Sequence, residues 1–366
     1  MNATFWSRFP LKTGSKWLNF FLVLVPAAPL LHFLHAPALL VFFVAALGIV
    51  PLAGVLGEAT GALAAHSGPA IGGLLNATLG NATELIISVF AIRTGHINVV
   101  KASLTGSIVG NLLLVLGVSI VAGGLKRDTL RFSRANASTN GTMLLIAVAA
   151  LVMPAIFVLT AYGDLQHHQS ARLEDISIWT SAVLILLYLA NLVSIFKTHP
   201  HAFSQPAEEE KPEMSFRNAL IALVLATILI AWLSEILVGN IEAVTRSLGM
   251  TELFIGVIVV ALVGNAAEHS TAVIMALQDK MDLAITIAAG SSTQIALFVA
   301  PVLVFLSLAM GHPMTLLFNG FEIAGIFLSV LILAMISSDG ETHWFEGAEL
   351  LALYAIIGVA FYFVPD

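Results

Sequence analysis

The apolar residues of this chain come in blocks of about 20, separated by short stretches where charged residues, Pro and Gly collect. An α-helix needs about 20 apolar residues to cross the ~30 Å hydrocarbon core of a bilayer. The alternating segments of about 10 residues that are typical of a membrane β-barrel are absent. Only 10% of the residues are charged, against about 25% in soluble domains. The pattern therefore predicts an all-α polytopic membrane protein.

The polar breaks divide the chain into eleven predicted transmembrane helices. They lie at 16–34, 37–65, 70–92, 98–122, 140–160, 176–196, 216–238, 253–277, 283–310, 314–336 and 345–364. The first block is long for a signal peptide and shows no small-residue cleavage site, so it counts as a span. The predicted organisation has four parts: an N-terminal extra helix (1–35), a five-helix repeat (36–198), an acidic cytoplasmic linker (199–215) and a second five-helix repeat (216–366).

The distribution of Lys and Arg predicts the orientation in the membrane. With the N-terminus in the cytoplasm, eleven basic residues fall on inner segments and four on outer ones, as the positive-inside rule requires. An odd number of spans then places the C-terminus outside. This favours an integral protein of the prokaryotic plasma (inner) membrane. The chain has no basic cluster, which argues against a nucleic-acid partner.

An internal repeat relates the two halves at an offset of 184 residues. The segment Gly80–Glu84 (GNATE) resembles Gly264–Glu268 (GNAAE), and the same offset without a gap pairs Glu58 with Glu242 and Ser107 with Ser291. Five predicted spans separate equivalent points, so the two copies cross the membrane in opposite directions. Inverted repeats with a substrate site near the midplane are a transporter architecture.

Each of the two Gly-Asn motifs ends in a glutamate, Glu84 or Glu268, that lies within a predicted span. An ionisable side chain at the centre of a membrane helix costs about 2.5–3.5 kcal/mol on insertion scales. The predicted helices that follow these two spans, 98–122 and 283–310, have no Lys or Arg within their apolar cores. If the two carboxylates face each other, they cannot both ionise easily. The sequence thus predicts that protons or a bound cation neutralise them.

The residues beside the two glutamates suit a hard cation. Gly80 and Gly264, each followed by an Asn, permit a break in the helix, and the freed carbonyls could act as ligands. Ca²⁺ takes six to eight oxygen ligands, which the two glutamates, Asn81 and Asn265, carbonyls and water could supply. The chain has no Cys, and His269 is the one imidazole beside the predicted site. This argues against a zinc or copper carrier.

Longer segments resemble the calcium/proton exchangers, a branch of the calcium/cation antiporter superfamily. The resemblance lies in Gly72–Ile86 (GGLLNATLGNATELI), Gly264–His269, Ser291–Ala296 (SSTQIA) and the C-terminal Asp339–Tyr354. It implies the following site residues: Glu84 and Glu268 as cation-binding glutamates with Asn81 and Asn265 beside them, Ser107, Ser291 and Gln294 as polar positions on packed helices, and Glu58 and Glu242 as acids near the cavity mouths.

For His269 the resemblance suggests a proton relay or an orienting role, and a structural core histidine remains open. The sodium/calcium branch typically has an Asp in the second repeat. The Glu268-His269 pair found here favours protons as the driving ion.

The predicted function is secondary active antiport, in which cytoplasmic Ca²⁺ is exchanged for external protons by alternating access. Ca²⁺ and H⁺ are then substrates, and no cofactor is expected. Antiport of Na⁺ or Mn²⁺ against protons, a cation channel, and association into a homo-oligomer are left open. The chain has no His-Glu-x-x-His or comparable motif, so no enzyme is predicted. Glu322 has no repeat partner and is expected to cap a helix or to bond locally.

Overall fold

The computed structural model describes residues 16–163, 171–195 and 214–364, and this part of the chain is almost entirely helical. A two-residue antiparallel ladder, β1 (Leu130–Arg131) with β2 (Glu341–Thr342), is the exception within these ranges. The all-α prediction is confirmed. The predicted linker 199–215 lies outside the described residues apart from its last two.

The helix bounds follow the predicted spans closely, with breaks inside several of them. The helices are α1 (Lys16–Phe21), α2 (Leu24–Phe33), α3 (Ala38–Ser67), α4 (Pro69–Leu79), α5 (Ala82–Arg93), α6 (Ile97–Val109), α7 (Leu116–Gly124), α8 (Arg134–Tyr162), α9 (Ala171–Val193), α10 (Phe216–Val238), α11 (Ile241–Leu248), α12 (Glu252–Phe254), α13 (Ala261–Gly264), α14 (Ala266–Leu277), α15 (Met281–Gln294), α16 (Ala300–Ala309), α17 (Gly320–Ile336) and α18 (Trp344–Phe363). Three π-helical segments, Gly110–Val115, Ile255–Val260 and Ile295–Val299, join α6 to α7, α12 to α13 and α15 to α16.

Several of these helices are long and apolar enough to cross a membrane. By length and composition the described residues contain seven such helices, or eight if the bent pair Ile241–Leu248 and Glu252–Gly264 is one span. The seven are Ala38–Ser67, Ile97–Gly124, Arg134–Tyr162, Arg172–Val193, Phe216–Val238, Met281–Ala309 and Trp344–Phe363. The other predicted spans correspond to shorter or interrupted helices, so the count of eleven stays a prediction.

The chain forms two compact units. The first consists of the described residues of Met1–Phe90, Asn191–Leu248 and Val263–Ala267, and the second of those of Ala91–Ala190, Gly249–Leu262 and Glu268–Asp366. The predicted repeats, 36–198 and 216–366, rest on the sequence offset of 184 and on predicted helix directions, which the compact units do not test. They stay a prediction.

In the first unit α3 is the central helix and packs against α10, α2 and α4. Close packing of α3 depends on Gly48, where an added Cβ would lie 3.1 Å from Leu233 Cδ1 and 3.4 Å from the backbone of Leu24. Small residues at helix contacts let membrane helices approach closely. The glycine therefore lets α3 fit between α2 and α10.

In the second unit the backbone of α6 touches the π-helical segment Ile255–Val260. An added Cβ at Gly106 would overlap the carbonyl oxygen of Val257, and one at Gly256 would lie 2.5 Å from Ala102 Cβ. Each of the two backbone segments thus contributes a glycine at the point where they cross. A larger side chain at Gly106 or Gly256 would force the two backbones apart, so the glycines allow α6 to approach the segment Ile255–Val260 closely.

Three connecting segments of the second unit are joined at one end of its helices. Arg127 Nε lies 3.1 Å from Asp279 Oδ1, and the backbone N–H of Ser133 donates to Asp282 Oδ1. The β1–β2 ladder joins the α7–α8 connection to the α17–α18 connection. These contacts link segments that follow α7, α14 and α17.

Candidate functional site

The first predicted glutamate follows a break in the helix, as the Gly-Asn pair predicts. In the first unit α4 ends at Leu79, Gly80 and Asn81 form a turn, and α5 begins at Ala82. The carbonyl of Asn81 accepts from the N–H of Leu85 at 3.1 Å, which marks Asn81 as the residue that opens α5. Glu84 is the third residue of α5 and is only 5% exposed. Its carboxylate therefore lies in the first turn, near the positive end of the helix dipole.

Gly264 lies against the carboxyl group of Glu84 within the same unit. A Cβ added to Gly264 would be 3.1 Å from Glu84 Cγ and 3.2 Å from Glu84 Oε1. Gly264 has no positive φ angle, so space rather than backbone conformation requires glycine there. The structure thus brings together two of the predicted site residues, Glu84 and Gly264.

The second predicted glutamate follows a matching break. α13 ends at Gly264, Asn265 forms the turn, and α14 begins at Ala266, so Glu268 is again the third residue of its helix. Glu268 accepts a hydrogen bond from the hydroxyl of Ser291 on α15. Both residues belong to the second unit. The structure therefore joins these two predicted residues directly.

His269 contacts a residue that the sequence analysis missed. Its Nε2 lies 3.1 Å from Oδ1 of Asn111, in the π-helical segment that follows α6. Asn111 is 1% exposed, and its Nδ2 has no hydrogen-bond partner among the described residues. The signal for Asn111 was its spacing, because residues four apart lie on one helix face and Ser107 precedes it by four. A polar residue in an otherwise apolar stretch was the second sign.

The remaining predicted residues lie in different surroundings. Ser107 is buried on α6, and Gln294 is half-buried at the end of α15, just before Ile295–Val299. Glu58 is half-buried within α3. Glu242 is exposed on α11 and forms an i,i+4 ion pair with Arg246 at 3.2 Å, the kind of surface pair that contributes little to stability.

The chain matches a known family over most of its length. Residues 37–197 and 218–363 match the model of the sodium/calcium exchanger protein family. The chain belongs to this family.

Proteins named as Ca²⁺/H⁺ antiporters resemble the chain almost from end to end. The Ca²⁺/H⁺ antiporter of Synechocystis sp. is 43% identical over 97% of this chain and 99% of its own length. The Ca²⁺/H⁺ antiporter ChaA of Bacillus subtilis is 45% identical over 92% of this chain and 96% of its own. The solved structure of native YfkE, a Ca²⁺/H⁺ antiporter protein, superposes with a TM-score of 0.82 at 42% identity and covers 94% of this chain and 100% of that one. These relatives are transporters and not enzymes.

Proposed function

We propose that this protein is a Ca²⁺/H⁺ antiporter of the prokaryotic plasma membrane, with Glu84 and Glu268 as a shared binding site for Ca²⁺ and protons. The observation that carries the proposal is the 43–45% identity to proteins named as Ca²⁺/H⁺ antiporters over more than nine-tenths of the chain. The proposed exchange moves Ca²⁺ out of the cytoplasm and protons in.

The local geometry of the two glutamates supports their role. Each is the third residue of a helix that begins at a break after a Gly-Asn pair. In the proposal the carbonyls of Gly80 and Gly264, with the side chains of Asn81 and Asn265, supply oxygen ligands of the kind that Ca²⁺ uses. The contact of Glu84 with Gly264, a residue of the second Gly-Asn motif, adds support.

The serine bonded to Glu268 supports a site for a hard cation. A hydroxyl can donate to a carboxylate and then turn its own oxygen toward a metal ion. Ser291 donates such a bond to Glu268. Ser107 occupies the equivalent position in the first repeat, 184 residues earlier. In the proposal these hydroxyls and the amide of Gln294 complete the oxygen shell.

The proposed topology has eleven spans, two inverted five-helix repeats, the N-terminus inside and the C-terminus outside. Two sets of contacts in the second unit support it. The segments joined through Arg127–Asp279 and β1–β2 are all inner segments in this topology. His96 Nδ1 lies 2.8 Å from Glu252 Oε1. The segments of both residues, before α6 and at the start of α12, are outer segments in this topology. The π-helical segments ending at Val115 and Val299 are related by the repeat offset of 184.

Competition for the two carboxylates would couple the two fluxes. Ca²⁺ requires both glutamates ionised, so binding releases protons and protonation expels Ca²⁺. A site that opens alternately to each side would take up protons from the acidic outside and exchange them for Ca²⁺ inside. Alternating access follows from this sharing, because a site open to both sides at once would let both ions run down their gradients.

Uptake of ⁴⁵Ca²⁺ into liposomes that hold the purified protein tests the proposal. An imposed proton gradient should drive accumulation, and a pH dye should report proton movement in the opposite direction. Excess Mn²⁺ or Na⁺ should inhibit only weakly if Ca²⁺ is the preferred cation. Transport that persists without a pH gradient and moves no protons would refute antiport and favour a channel.

A further inference from the structure

A buried carboxylate in the second unit lies outside the proposed transport site. Glu322 is the third residue of α17 and is 3% exposed. Its N–H donates to Asn319 Oδ1 at 2.9 Å, and its Oε2 accepts from the N–H of Asn319 at 2.8 Å, which forms a complete capping box. The expectation that Glu322 caps a helix is confirmed. The box uses only one of the two carboxylate oxygens.

The other oxygen of Glu322 is bound by a different helix. Thr105 on α6 is fully buried, and its Oγ1 donates to Glu322 Oε1 at 3.2 Å. A threonine within a helix commonly bonds to the carbonyl four residues earlier in its own helix, as Thr293 does with Ala289. Thr105 bonds instead to a residue 217 positions away. The carboxylate therefore ties α6 to the first turn of α17.

A basic side chain lies one turn earlier on the same face of α6. Lys101 Nζ donates to the carbonyl of Leu317 at 2.9 Å, just before α17 begins. The Lys101 ammonium also attracts the Glu322 carboxylate. α6 is thus attached to residues 317–322 at two points about one turn apart. Lys101 is half-buried, and its positive charge partly offsets the loss of hydration of the buried Glu322 carboxylate.

We infer that Lys101, Thr105 and Glu322 form a positioning network that sets Ser107 for Ca²⁺ binding, an inference that rests on the proposed function. Ser107 follows Thr105 by two residues on the same rigid helix. Gly106, between them, contacts the backbone of the segment Ile255–Val260, which limits how closely α6 can approach that segment. The backbone contact limits approach, and the polar network limits sliding and rotation. Both are needed to define where the Ser107 hydroxyl lies.

Thr105→Val tests this directly, because valine keeps the shape of threonine and removes only the hydroxyl. The assay is the dependence of proton-driven ⁴⁵Ca²⁺ uptake on Ca²⁺ in liposomes, with the amount of folded protein measured separately. We expect the Ca²⁺ KM to rise by up to about tenfold with Vmax per folded molecule within about twofold, since the free energy of one hydrogen bond to a charged group corresponds to about that factor if it stabilises only the Ca²⁺-bound arrangement. Thr105→Ser restores a hydroxyl and should return KM close to the wild-type value.

Ser329→Ala is the matched control. Ser329 is buried on α17, the helix of Glu322, and its hydroxyl bonds only within that helix, to the carbonyl of Gly325 at 2.6 Å. Losing this hydroxyl should leave the Ca²⁺ KM unchanged. A rise in KM equal to that of Thr105→Val would show that any buried hydroxyl loss has the effect, and would overturn the inference.

Charge removal gives an independent readout. Lys101→Met and Glu322→Gln each leave one partner uncompensated, whereas the double variant leaves none. The double variant should therefore have a smaller rise in KM than the product of the two single effects.

The inference would be overturned if Thr105→Val and both charge variants kept the wild-type KM and lost Vmax only in proportion to the amount of folded protein. The network would then have a purely structural role. Failure of the wild type to exchange Ca²⁺ for protons would instead refute the proposed function.

Discussion

Gly264→Ala probes the contact between Gly264 and the Glu84 carboxyl group. The added Cβ would lie 3.1 Å from Glu84 Cγ and 3.2 Å from Oε1, so the carboxyl group must move by a few tenths of an ångström. The gain in helix propensity of up to about 1 kcal/mol offsets the crowding, and the free energy of unfolding should change by less than about 1 kcal/mol. Metal–ligand distances tolerate only about 0.2 Å. We therefore expect the Ca²⁺ KM to rise about tenfold or more, as for other disturbed metal surroundings.

The assay is the Ca²⁺ dependence of proton-driven ⁴⁵Ca²⁺ uptake in liposomes, together with thermal unfolding of the purified variant. Gly141→Ala is the matched control, because Gly141 is within α8 and an added Cβ there meets no atom within 4 Å. It should leave KM unchanged and stabilise the fold slightly. A Gly264→Ala protein with wild-type KM would refute the view that Glu84 binds the ion. A variant that unfolds much earlier would refute the estimate of the crowding.

Three further outcomes follow from the proposed site. Glu84→Gln and Glu268→Gln should each abolish exchange with near-normal folding, because the amide keeps the shape but removes the charge and the proton site; substantial transport by either would contradict the assignment. Ser291→Ala removes the donor to Glu268 and should raise the Ca²⁺ KM about threefold to tenfold in the uptake assay, and an unchanged KM would exclude Ser291 from the site. Ca²⁺ affinity, measured by calorimetry in buffers of different ionisation enthalpy, should fall as pH drops because protons occupy the same oxygens, by about tenfold per pH unit for each proton displaced; an affinity flat with pH, without proton release, would exclude the competition.

The sequence predicted the features that depend on composition and local backbone preference. Long apolar blocks predicted the membrane class, because nothing else accounts for so few charges. The Gly-Asn pairs predicted breaks before Glu84 and Glu268, since glycine and asparagine tolerate non-helical backbone, and helices end at Leu79 and Gly264. The resemblance to exchangers placed Ser291 and Glu268 in the same site, but it did not predict the hydrogen bond between them.

Contacts between distant segments could not be predicted. His269 meets Asn111 across 158 residues and Thr105 meets Glu322 across 217. Helical periodicity defines which face a residue occupies but not which other helix covers that face. Hydropathy likewise cannot separate one continuous span from two half-helices, because both have the same apolar length. The division of the chain into two compact units depends on contacts between distant helices, so the sequence does not reveal it either.

The π-helical segments determine where this chain can lose a residue. In an α-helix each N–H bonds four residues back, and in a π turn five residues back, so a π turn holds one extra residue. Deleting one residue within Gly110–Val115 would let α6 and α7 join as a continuous α-helix with their faces still aligned. The same deletion inside α8 would rotate everything after it by about 100°. Single-residue deletions should thus be best tolerated at the π turns, beside the polar residues of the proposed site.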